Sequence, residues 1–204
     1  MVTFLIWAFT FGNASDHLGA TFTAAFTSEP IEQLPFVLGQ VPQLLSLTAA
    51  TLAVSYALAL VLVLLGPNLP AAKIAFRPPK GPLEPRLFFD MWRVALLEEA
   101  FFRWLPLAAI AAFLSFAPRP ALVLAASAVF ALAHLMNYER GAWNILWVTP
   151  QFIGGLFLAY AFYRWGFGGA VVVHFCYDYF LLWGFPYNAR LRISVGLGLG
   201  RRYS

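Results

Sequence analysis

Between Phe36 and Leu65 the chain runs for thirty residues without a charged side chain, and long apolar stretches recur downstream. Roughly 20 apolar residues are the length a helix needs to cross the hydrocarbon of a bilayer. A helix also satisfies its own backbone hydrogen bonds there, which an open loop or sheet edge cannot do. Composition agrees. Hydrophobic residues make up 61% of the 204 and charged ones 11%, against about 45–50% and 25% in soluble domains.

Proline, glycine and polar clusters divide the chain into spans. Met1 to Phe11 is short for a crossing and lacks the basic start and cleavage site of a secretory signal. It reads as an interfacial helix or as part of a tilted segment reaching Phe26. The next stretch, about Phe36 to Leu65, is a span ended by Gly66-Pro67 and followed by a Pro-rich loop. A third helix is expected from about Leu87 to Phe116, stopped by Pro118 and Pro120, and a fourth from about Ala121 to Met136. The fifth covers about Ala142 to Tyr163, with a kink at Pro150 and a small-residue contact surface at Gly154-Gly155. The sixth covers about Gly169 to Phe185, closed by Pro186. The expected fold is therefore all-α, a polytopic membrane bundle of five or six spans in one integral-membrane domain. Within it, residues 1–86 supply the N-terminal apolar segment, the first clear span and a basic loop. Residues 87–186 form the core, and 187–204 a basic tail.

Net charge is +4, with no basic stripe and interleaved aromatics of the kind that binds nucleic acid. Lys73, Arg77, Lys80 and Arg86 concentrate in one loop, and Arg190, Arg192, Arg201 and Arg202 in the tail. The positive-inside rule places both in the cytoplasm. Four expected spans separate them, an even number, so the two placements agree. The single cysteine, Cys176, permits no intrachain disulfide and no cysteine cage for a metal. It reads as a small apolar helix residue.

Against this background a few ionisable groups stand out, because each costs roughly 2.5–3.5 kcal/mol at the centre of a membrane helix on insertion scales. Such groups usually face a cavity or one another. Glu99 and Arg103 are four apart with the carboxylate first, the favoured order for an ion pair. Glu98 points about 100° away from Glu99, which frees it for general-base work in a cavity. Phe130 and His134 share a face by the same spacing, as do His174 and Asp178. That last carboxylate can orient the imidazole, bind metal with it, or, if protonated, help it donate to an oxyanion. Glu98 lies roughly 18 Å along its helix from Arg86, and His174 and Asp178 roughly 18 and 12 Å from Pro186. All fall near the midplane or in the cytoplasmic half, within reach of one cavity opening to the cytoplasm. Arg93 and Asp90 are expected to pair near the interface, and His17 beside Asp16 reads as an exposed loop residue.

Glu98-Glu99-Ala-Phe-Phe-Arg103, Phe130-Ala-Leu-Ala-His134 and His174-Phe-Cys-Tyr-Asp178, in this order, resemble the CAAX prenyl protease and bacteriocin-processing family of intramembrane proteases. This is also called the abortive-infection family. Its pattern is Glu-Glu-x-x-x-Arg, Phe-x-x-x-His, then His-x-x-x-Asn or Asp. The resemblance covers about Leu87 to Phe185 and implies a helix bundle around a conical cavity. It implies an endopeptidase acting on a membrane-anchored protein or peptide, at a C-terminal tail or leader junction, in the bacterial inner membrane. By that likeness Glu98 and His134 hold and activate the attacking water, and His174 and Asp178 stabilise the oxyanion. Glu99, Arg103 and Phe130 support the site. Asp178 stands where prenyl-protein proteases of this group commonly have asparagine. An ionised carboxylate repels an oxyanion, so Asp178 is protonated, orients His174 or binds a cation. The family is described as glutamate-dependent or metal-dependent. No His-Glu-x-x-His helix is present, so no cofactor is favoured, although zinc could be held by Glu98, His134 and His174. The competing readings are a non-catalytic immunity or scaffold protein that binds a partner in the same cavity, and an ion or proton carrier using these groups as a relay.

Overall fold

The computed structural model describes residues 38–65, 85–113, 117–137 and 145–198. The expectations for Met1 to Phe26, for the loop carrying Lys73, Arg77 and Lys80, and for the last residues of the tail lie outside them. Among the described residues the chain is all-helical, with no strand.

Among the described residues, four helices build the bundle. Helix α1 (Val41–Leu65) is entered through a 3-10 turn at Leu38–Gln40. Helix α2 starts as Pro85–Glu99, widens into a π-helical stretch at Ala100–Ile110 and ends with the α-helical turn Ala111–Phe113. Helix α3 (Arg119–Ala133) tightens into a 3-10 turn at His134–Asn137. Helix α4 (Thr149–Gly198) follows a 3-10 turn at Ile145–Val148.

Prolines mark all four starts, with Pro42 the second residue of α1. Pro85 opens α2, Pro118 caps α3 with φ −66° and ψ 139°, and Pro120 sits in its first turn. Pro150 is the second residue of α4, so the expected kink there is corrected. An amide at that position has no helical acceptor to lose, and the fixed φ favours helix entry. Pro186 does not close the last helix either, because α4 continues through it to Gly198. A proline deletes one backbone bond and crowds one carbonyl, which bends a helix more readily than it ends one.

The break in α4 comes at Gly166, with φ 68° and ψ −170°. It separates arms 149–165 and 167–198 in the gap expected between the fifth and sixth helices. Only glycine holds that backbone without strain. The bend is tight: a Cβ at Gly169 would collide with the Cβ of Trp165.

Helix α4 packs against α1, α2 and α3. Phe157, Leu158, Ala161, Trp165, Ala170 and Val173 meet Leu44 and Leu47 of α1 and Phe130 of α3 in one buried cluster. Gly154 and Gly155 supply the small-residue surface. Thr51 lies beside the first, and a Cβ on the second would sit 3.0 Å from that of Ser127, an approach typical of membrane helix pairs. Polar groups on α1 are turned back on its own backbone, Thr48 Oγ1 donating to the Leu44 carbonyl at 2.9 Å and Thr51 Oγ1 to that of Leu47 at 2.8 Å. Outside, Phe89, Leu97, Phe101, Trp104, Phe113 and Val129 are exposed.

By length and composition, three described helices can cross a membrane, within Val41–Leu58, Arg119–Met136 and Thr149–Phe180. The third segment holds both sides of the Gly166 break. Helix α2 is not among them, since it carries Arg86, Asp90, Arg93, Glu98, Glu99 and Arg103.

Candidate active site

The α-to-π transition in α2 falls just after Glu99, and π turns inside helices often accompany functional sites. Glu98, Glu99 and Arg103 leave α2 around this transition. They meet His174 and Asp178 from the second arm of α4, with Phe130 and His134 approaching from the end of α3.

Two layers result. In the sealed layer, Arg103 Nη1 pairs with Glu99 Oε1 at 3.1 Å, and their side chains are 1% and 0% exposed. The same carboxylate oxygen lies 2.7 Å from His174 Nδ1. Paired with the guanidinium, that oxygen accepts and Nδ1–H of His174 donates to it. In the open layer, Glu98 and Asp178 are 29% and 21% exposed, and their oxygens stand 3.6 and 3.4 Å from His174 Nε2. One imidazole therefore spans the site, one nitrogen on the sealed acid and the other facing the two open ones.

His134 is fixed differently. Its Nδ1 lies 2.8 Å from the Phe130 carbonyl oxygen, a pure acceptor. A neutral ring then keeps Nε2 bare, able to accept a proton or hydrogen bond. Glu98, Arg103 and His174 all lie within electrostatic range of this ring. Phe130 is buried among them, with Arg103 Cζ 4.1 Å from its ring centroid.

All seven candidate residues thus gather at one level of the bundle. Asp90 does not join them. Among the described residues it pairs with Arg86 at 3.5 Å and not, as expected, with Arg93; both spacings share a helix face, so sequence alone did not choose between them. His17 lies outside the described residues, and Cys176 is a half-buried free thiol. Sequence reasoning missed the bond from Glu99 to His174 and the seat of Arg103 on Phe130. Both join separate helices, and no local spacing signals them. As for zinc, no three of His, Cys, Asp and Glu converge as a metal-holding group among the described residues.

The sequence model of one family, described as type II CAAX prenyl endopeptidase Rce1-like, matches residues 83–180. All three motifs fall inside that stretch, and residues before 83 fall outside it. No curated protein and no solved structure matches the chain.

Proposed function

Since residues 83–180 match the type II CAAX prenyl endopeptidase Rce1-like family, we propose that this integral membrane protein is an intramembrane endopeptidase. It hydrolyses a peptide bond in a membrane-associated protein or peptide, at a C-terminal tail or a leader junction. The observation that carries the reading is the open layer. Two partly exposed carboxylates, Glu98 and Asp178, face one imidazole nitrogen, directly against a sealed ion pair that fixes the other nitrogen.

In this reading a water donates one hydrogen to Glu98 and the other to the bare Nε2 of His134, leaving an oxygen lone pair for the scissile carbonyl carbon. Glu98 takes the proton as the carbon–oxygen bond forms and passes it to the leaving nitrogen as the carbon–nitrogen bond breaks. His174, charged and balanced by Glu99, donates from Nε2 to the tetrahedral oxyanion. Asp178 orients that ring, or joins it as a donor when protonated. The reaction is written without a metal, and chelation tests that choice.

The same reading sets the membrane frame. Helix α2 crosses as well, its inner charges paired against α4, and the two arms of α4 cross separately. With the N-terminal segment this makes five or six spans. The basic loop and tail face the cytoplasm of a bacterial inner membrane, and the cavity opens on that side. Residues 87–186 are the catalytic core of a single domain, with 1–86 before it and the basic tail 187–204 after it.

The test is co-expression with tail-anchored and leader-bearing candidate substrates from the same genome. Glu98→Gln and His134→Ala should each abolish processing while the protein still accumulates in the membrane. Normal processing by both variants overturns the proposal. Partner protection that survives both substitutions, without any cleavage, establishes the binding-only alternative. Loss of cleavage on chelation, restored by zinc, replaces the metal-free step.

A further inference from the structure

We propose that Phe130 is a positioning residue that sets both histidines of the site at once. The inference rests on the endopeptidase reading, but concerns a side chain that is 4% exposed and takes no part in the bond changes. Its ring is the meeting point of three helices. From α2, Arg103 Cζ sits 4.1 Å from the centroid, and the Phe102 ring packs at 5.4 Å. His134 of α3 lies at 4.6 Å with an interplanar angle of 64°, and His174 of α4 at 5.8 Å and 83°. Edge-to-face rings and a cation over the face are the arrangements that an aromatic quadrupole favours.

Each histidine is reached by two routes. For His134 these are the ring contact and the Phe130 carbonyl, which accepts from Nδ1 at 2.8 Å. For His174 they are the ring contact and a relay. The guanidinium seated on Phe130 is the one that pairs with Glu99 Oε1 at 3.1 Å, and that oxygen receives His174 Nδ1–H at 2.7 Å. An aliphatic side chain of similar volume would fill the space without holding the cation or either imidazole edge. Arg103 would then lose its seat, Glu99 its fixed partner and His174 the fixed acceptor of its Nδ1–H.

The chain has three histidines, His17, His134 and His174, so imidazole nitrogen NMR of the full-length protein in detergent resolves the question without a substrate. Wild type should show the neutral Nδ1–H tautomer for His134 and a doubly protonated ring for His174. Phe130→Leu, which keeps the backbone carbonyl and loses the ring, should shift the nitrogen signals of both His134 and His174, and Phe130→Tyr should restore both. Should Phe130→Leu fail to accumulate, Phe130→Met takes its place. In cleavage assays Phe130→Leu should lower kcat about 10²-fold, as a misplacement near 1 Å does. KM should stay within about twofold, and Phe130→Tyr should recover kcat. Wild-type nitrogen signals in the aliphatic variant, or a change at His134 alone, overturn the proposal. Failure of the wild type to cleave any substrate removes the endopeptidase reading, while the nitrogen spectra still decide whether one ring holds both imidazoles.

Discussion

The two layers of the site use the same kinds of side chain to opposite ends. Glu99 and Arg103 are sealed from solvent and share their charges with each other and with His174. Glu98 sits one residue earlier on the same helix, yet about a third of it is open. Burial of an ion pair is tolerated only when the partners stay together, since desolvation rivals their attraction. An open carboxylate keeps its hydration and can meet water or substrate. Adjacent residues of one type thus divide into a sealed carboxylate and an open one, and helix phase separates them.

That contrast can be broken from either side. The largest expected effect is on turnover. Glu98→Gln should lower cleavage about 10³-fold, within the range for a lost general base. Its unfolding free energy should shift by less than about 0.5 kcal/mol, as for other partly open sites; thermal unfolding in detergent checks the second figure. On the sealed side the order reverses. Glu99→Ala leaves Arg103 buried without its counter-charge and should cost about 3–5 kcal/mol of stability. Adding Arg103→Met should return part of that loss, while cleavage stays impaired because His174 has lost its anchor. A milder blow comes through packing: Gly155→Val pushes α4 from Ser127 of α3, where a Cβ already lies at 3.0 Å. Overpacking of this kind costs about 1–3 kcal/mol. The smallest effect belongs to Arg86→Ala. Its pair with Asp90 is exposed at 78% and 45%, so unfolding should move by only a few tenths of a kcal/mol.

Much of the scaffold was legible because bilayer-length apolar runs have few alternatives. The run expected from Phe36 to Leu65 appears as α1, Val41–Leu65, and the gap around residue 166 holds the break in α4. Contacts four residues apart were also readable, since helix geometry alone brings Glu99 to Arg103 and Phe130 to His134. What escaped notice depends on packing between helices. Glu99 and His174 are 75 positions apart in the chain, and nothing in either motif announces their bond. The π-helical stretch was equally hidden, for Ala100–Ile110 looks like any apolar helix segment with a proline in it. Pro150 and Pro186 misled for one reason. A proline reports a missing donor, and whether that matters depends on whether a helix needed the donor there.

His134 closes α3 as well as facing the site. Its backbone N–H turns to the carbonyls of Ala131 and Leu132, leaving the Phe130 carbonyl to the imidazole of the same residue. The ring thereby finishes its own helix in place of a main-chain donor. Fraying of that last turn and disorientation of the imidazole are consequently one event. Heat should silence the enzyme at the onset of local unwinding, well before the bundle comes apart.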